Sequence, residues 1–186
     1  MLKGTLIHPQ ILNALGRAGH GSQILIADGN FPFSTTLGRN SELVSLNLTP
    51  GVVSCTQVLE SLASSIPIEA GAVMDTPRSG PFAQESEPEI WNEFCAILRG
   101  VTDSDFELDR IERFEFYRAV AAPSVALTIA TGEQRIFANL LLTIGVVFPV
   151  GWKMTRNIAQ GSLKRKRRNR TVFLGLRFRL EEFNLT

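Results

Sequence analysis

Short apolar runs alternate along this chain with segments of helical period. Ile24 to Ala27 is a continuous apolar run with polar residues and glycines on both sides. A run of that kind predicts a strand buried on both faces. Glu42 to Leu48 alternates around Leu43, Val44, Leu46 and Leu48 and predicts a second strand. Further strands are expected over Leu2–Ile7, Ala70–Met74, residues 105–111, Ser124–Ala130 and Asn139–Phe148. Helices fall between them. Pro9 opens the first, where its missing N–H costs nothing, and Ile11, Leu12 and Leu15 form its apolar stripe. Ser54 is a good N-cap for a helix running to about Ser65. Pro88–Arg99 carries Ile90, Trp91, Phe94, Ile97 and Leu98 on one face, and Glu112–Ala121 places Phe114, Tyr117 and Val120 at spacings of three. Residues 75–88 are rich in Pro, Ser and Gly and predict a surface loop. Alternating helices and apolar strands predict an α/β sandwich around a largely buried mixed or parallel sheet.

Composition narrows the class. The 186 residues are 44% hydrophobic and 20% charged, the balance of a globular domain with a sizeable core. No run approaches the roughly 18 to 20 apolar residues of a membrane span, and the apolar segment at the N-terminus is too short for a signal peptide. A cytoplasmic protein is expected. Cys55 and Cys95 lie in predicted helices and read as buried, reduced thiols, with no Cys/His metal spacing around them.

The net charge of +1 conceals an asymmetry. Residues 1–150 hold 9 Lys+Arg and 16 Asp+Glu, whereas residues 151–186 hold 10 and 2. An acidic body therefore carries a basic tail, with Lys164–Arg170 as its densest stretch. Such a run suits nucleic acid or an anionic surface. A solvated extension, or an out-of-frame continuation past a normal stop, is the favoured reading, and nucleic acid is not the expected partner. Thr171 to Leu180 could add a strand.

Candidate chemistry gathers at few places. His20 sits between Gly19 and Gly21, and Asp28 ends the first buried strand. An acid at the carboxyl end of a sheet strand occupies the edge where open α/β sheets place ligands. Imidazole is the side chain best suited to proton transfer at neutral pH. His8, next to Pro9, reads as structural. Arg113-Phe114-Glu115-Phe116-Tyr117 offers a guanidinium, rings and a phenol, and Asn139 follows a turn and begins a strand. Each of these residues also has an ordinary structural reading. No P-loop, G-x-S-x-G or H-E-x-x-H pattern is present.

Taken together, three segments resemble one family. Gly19-His20-Gly21 with Asp28 and Phe31-Pro32 is similar to the N-terminal signature of the RbsD/FucU family of D-ribose pyranases and L-fucose mutarotases. Arg113-Phe114-Glu115-Phe116-Tyr117 resembles its Arg-Phe-x-Phe-Tyr segment. Thr131-Gly132-Glu133, Phe137-Ala138-Asn139 and Gly145-Val146-Val147 resemble its C-terminal signature. The match runs over residues 1–149, which sets off 150–186 as an extension, and it looks closer to the fucose branch than to the ribose branch. The resemblance implies a three-layer α/β sandwich, a homo-oligomer (decameric in well-known bacterial cases) and cofactor-free interconversion of sugar anomers or ring forms. A ribose pyranase or a non-catalytic sugar-binding protein are the alternatives.

By the same resemblance His20 is the general acid/base, and Asp28, Arg113 and Asn139 bind sugar hydroxyls. Tyr117 and Glu69 are weaker candidates, Glu69 through a loose match. Phe137 stands where the family has tyrosine, so the ring is kept and a hydroxyl is lost. Distance raises a separate question. Eight extended residues span up to ~26–29 Å, so His20 and Asp28 meet one monosaccharide only if the chain curls or if two subunits share the site.

Overall fold

A computed structural model describes residues 2–81 and 83–149. The basic run and the strand expected near 171–180 lie outside the described residues. In chain order the elements are α1 (Pro9–Arg17), β1 (Gln23–Ala27), β2 (Glu42–Ser45), α2 (Cys55–Ala63), β3 (Ile68–Met74), α3 (Glu89–Arg99), β4 (Asp109–Ile111), α4 (Arg113–Val120), β5 (Val125–Ala130) and β6 (Leu140–Ile144). Among the described residues the strands form one six-stranded sheet in the order β2-β5-β1-β6-β3-β4. β1 runs parallel to β5, β2 to β5, and β3 to β4, while β6 runs antiparallel to both β1 and β3. The sheet is therefore mixed, with β1 and β6 at its centre.

Alternation along β1 creates three layers. Ile24 and Ile26 face a core shared with Ile11 of α1, Leu59 of α2 and Phe94 of α3. Leu25 and Ala27 face the opposite core with Phe116 and Val120 of α4. All four β1 residues have 0% exposure, as a continuous apolar run requires. β6 repeats the arrangement, with Leu140 and Leu142 on the first face and Leu141 on the second.

Helix starts follow their sequence signals. Pro9 stands at the start of α1, and His8 is its N-cap, so His8 has the structural role its position suggested. Ser54 and Gln57 form a reciprocal capping box at α2: Gln57 N–H donates to Ser54 Oγ, and Ser54 N–H donates to Gln57 Oε1.

Cys95, expected to be buried, is only half-buried, and two further local expectations are corrected. Residues 2–7 form no strand. A strand needs a neighbour to take its backbone hydrogen bonds, and these residues join no ladder of the sheet. Instead Leu6 plugs the α1–α2 side of the core, and Thr5 shares a hydroxyl hydrogen bond with Ser64. In α4 the buried ring is Phe116, not Phe114, which is 66% exposed. The helix is short and the sheet meets it at Phe116 and Val120, a spacing of four.

Candidate functional site

β1 ends at Ala27, and Asp28 follows it into the sheet's edge, only 3% exposed. Burial at that depth requires partners, and three hydrogen bonds supply them. Asn139 Nδ2 donates to Asp28 Oδ2 at 2.9 Å, and Asn30 N–H donates to Oδ1 at 2.9 Å. The Asp28 backbone N–H in turn donates to Asn139 Oδ1 at 3.1 Å. The two side chains are thus locked to each other across 111 residues of sequence. Desolvation dominates and raises the Asp28 pKa above the ordinary 3.8; the Asn30, Ala138 and Asn139 hydrogen bonds oppose it.

Asp28 and Asn139 open onto a cleft of about 570 Å³, lined also by Phe31, Arg113, Tyr117 and Phe137. That lies within the roughly 300–1,000 Å³ of small-molecule sites. The topology explains the convergence. Asp28 follows the carboxyl end of β1, Met74–Arg78 the end of β3, and Glu112–Arg113 the end of β4. Asn139 precedes the antiparallel β6, so it reaches the same edge from the other direction. Glu112 caps α4 by accepting from Phe114 N–H at 2.9 Å and Glu115 N–H at 3.2 Å, which anchors the turn carrying Arg113. The Arg113 guanidinium lies 5.8 Å from the Tyr117 ring centroid, and Tyr117 lies 6.1 Å from Phe31. Carboxylate, amide and guanidinium face two or more rings, a set that can read hydroxyls and cover an apolar ligand face.

Phe137 has a φ of 61°, in the left-handed region that costs a residue with a Cβ about 1–2 kcal/mol. Its carbonyl accepts from Trp91 Nε1–H at 2.9 Å.

His20 is elsewhere. It precedes β1, and its Nε2 lies 3.0 Å from Glu69 Oε2, near the start of β3. Gly21, with φ 78°, turns the chain so that its N–H donates to the Ile144 carbonyl at 2.9 Å, at the far end of β6. The His20–Glu69 pair therefore occupies the edge opposite the cleft. Between the edges lies β1 from Gln23 to Ala27, roughly 13 Å at a strand's rise of ~3.3 Å per residue. The structure brings Asp28, Arg113, Tyr117, Phe137 and Asn139 together in one cleft, and separates His20 and Glu69 from them as a second cluster.

Thr131-Gly132-Glu133 does a third job, behind the site. Thr131 Oγ1 donates to the Ala27 carbonyl at 2.8 Å, pinning the end of β1 just before Asp28. Glu133 accepts from Arg135 Nε at 3.0 Å and Nη2 at 2.8 Å, which holds its carboxyl below the ordinary 4.5. Gly132 fits where a Cβ would lie 2.5 Å from the Thr49 carbonyl oxygen and would also strike that of Val52. Burial pushes the Cys55 thiol, against Thr131, up to about 12, so it is an inert part of this brace.

Sequence reasoning missed Met74 to Arg78 as cleft wall, because a Pro- and Ser-rich segment reads only as loop. Their place after a buried strand, at the sheet edge where open α/β folds place ligands, was the available signal.

The profile of the RbsD / FucU transport protein family matches residues 1–147. The chain belongs to that family. The human protein named fucose mutarotase is 34% identical over 155 residues, covering 78% of this chain and 94% of its own length. The D-ribose pyranase of Klebsiella pneumoniae (strain 342) is 27% identical over 151 residues, covering 80% of this chain and 100% of its own. Among solved structures, the fucose mutarotase of Streptococcus pneumoniae in complex with L-fucose superposes with a TM-score of 0.64 at 26% identity, covering 76% of this chain and 95% of that one. Family membership and the three-layer sandwich thus agree with the motifs in the sequence.

Proposed function

We propose that this chain is a sugar mutarotase, with an L-fucose-like hexose as the preferred substrate. The observation that carries the reading is the Asp28–Asn139 pair, buried and mutually hydrogen-bonded, in the lining of a cleft that also holds Arg113 and aromatic rings. Fixed acceptors and donors of this kind read a pattern of hydroxyls, and the rings of Tyr117 and Phe137 provide apolar surface for the sugar.

Mutarotation removes a proton from the anomeric hydroxyl and gives one to the ring oxygen, then reverses both on reclosure. A single imidazole serves both directions, and such catalysis typically contributes ~10²–10⁴-fold. In this reading His20 carries the proton. Glu69, hydrogen-bonded to His20 Nε2, sets the ring's orientation and tautomer and leaves Nδ1 for the sugar. Because the two clusters stand at opposite sheet edges, the working site joins the His20 edge of one subunit to the Asp28 cleft of another in a homo-oligomer. Residues 1–149 are the sugar-binding domain in this account, and 150–186 an appendage to it.

The ribose pyranase reading and the non-catalytic reading both draw on Phe137, whose missing hydroxyl alters what the cleft can hold. Saturation-transfer NMR of the full-length protein with L-fucose and D-ribose separates the three. The proposal predicts faster anomer exchange of L-fucose, abolished in His20→Ala. Faster exchange for D-ribose alone would favour the pyranase, and sugar binding with no added exchange would favour the non-catalytic reading.

A further inference from the structure

Helix α3 contributes no side chain to the cleft, yet it grips the loop that does. The grip has two points. Glu93 Oε1 accepts from Arg135 Nη1 at 2.7 Å, midway along the loop between β5 and β6. Further on, Trp91 Nε1–H donates to the Phe137 carbonyl at 2.9 Å. Trp91 is itself held firmly. It is 4% exposed in the first turn of α3. The Arg110 guanidinium lies 5.3 Å from its ring centroid, and Glu87 fixes Arg110 through an ion pair of 2.6 Å.

The loop needs such a hold. Phe137, with φ 61°, sits in a conformation that residues with a Cβ adopt only when their surroundings over-determine it. Returning to an ordinary backbone conformation would rotate the flanking peptides and swing its carbonyl away from Trp91. It would also redirect everything downstream, and Asn139 lies just two residues on, paired with Asp28. We infer that Trp91 is a positioning residue of the sugar site: its indole N–H selects the left-handed turn at Phe137, and that turn aims both the Phe137 ring and the Asn139 amide into the cleft. The inference rests on the sugar reading for its consequence, but not for its geometry.

Trp91→Phe in the full-length protein removes the donor and keeps most of the buried ring. Without sugar, the Cα shift and the amide–Hα coupling of Phe137 report its φ, and the side-chain amide peaks of Asn139 report the Asp28 contact. In the variant Phe137 loses its left-handed signature and the Asn139 peaks move. With L-fucose, exchange NMR gives a KM raised roughly 3- to 10-fold, the loss of about one hydrogen bond. kcat changes less than twofold, because the proton carrier lies on the other edge. A left-handed signature that survives in the variant, or a KM within twofold of wild type, overturns the inference. Should the variant not fold, the wild-type indole resonance decides. Assigned against Trp152→Phe, it shifts on saturation with L-fucose if its carbonyl partner belongs to the site, and an unmoved resonance overturns the role. Wild-type protein that neither binds nor exchanges sugar would sink the mutarotase reading instead, and leave the test of φ at Phe137 standing.

Discussion

Asn139→Asp changes one atom type and sets a second carboxylate against a buried one. The amide that donates to Asp28 Oδ2 at 2.9 Å becomes an oxygen. At that distance two unit charges repel by roughly 6 kcal/mol for an effective dielectric of about 20. The pair escapes by binding a proton, which restores an O–H donor between the two side chains. Its cost is therefore capped by proton uptake. From the ordinary aspartate value of 3.8 to pH 7, at about 1.36 kcal/mol per pH unit, the cap is roughly 4 kcal/mol. At pH 5 the same reasoning leaves about 1 to 2 kcal/mol. The sign follows from linkage: the folded variant holds a proton that the unfolded chain has released, so its stability falls as pH rises from 3.8 through the upper value of the pair. Urea unfolding followed by far-UV circular dichroism, run on wild type and variant at pH 5, 6 and 7, measures the difference. The variant should lose about 3 to 4 kcal/mol at pH 7 and recover most of it by pH 5. A loss independent of pH, or one below about 0.5 kcal/mol at pH 7, would mean that the two side chains do not share a proton and that the centre of the site is misread.

Gly132→Ala should cost about 1–3 kcal/mol or more, because the new Cβ meets backbone carbonyls that cannot give way. Calorimetry reads it as a lowered Tm, and an unchanged Tm would remove Thr131-Gly132-Glu133 from its bracing role. The two buried carboxyls should titrate in opposite senses, with the Asp28 side-chain ¹³C midpoint above 3.8 and that of Glu133 below 4.5. Glu133 then contributes stability that is present above 4.5 and lost as pH falls through its folded value, whereas the raised value of Asp28 costs stability as pH rises past 3.8. An Asp28 midpoint below 3.8 or a Glu133 midpoint above 4.5 would contradict the assigned partners.

Much of the architecture was legible because strong local signals coincided with tertiary demand. Ile24 to Ala27 read as doubly buried and is so, and Ser54 read as a cap and forms a capping box. Residues 2–7 misled because an apolar segment does not announce whether a neighbour will take its backbone hydrogen bonds. Phe114 and Phe116 could not be ranked, since a helix of eight residues has two candidate faces and the sheet decides between them. The candidate residues could be chosen from the sequence, but not the geometry that groups them. Asp28 and Asn139 could be chosen by type and place, but their mutual hydrogen bonds depend on the antiparallel register of β6 on β1. The His20–Glu69 pair depends in the same way on β3 lying next but one to β1 in the sheet. The extended length of residues 20–28 did foresee the separation, because a strand fixes its own length whatever surrounds it.

That separation is the centre of the account, and subunit mixing tests it most directly. His20→Ala and Asp28→Asn proteins, each expected to lose L-fucose exchange alone, are co-refolded to form mixed oligomers. If each site takes His20 from one subunit and Asp28 from another, the mixture regains a substantial fraction of wild-type exchange, because some sites then receive both intact residues. A mixture as inactive as its components, in oligomers shown by mass to be mixed, would contradict the shared site.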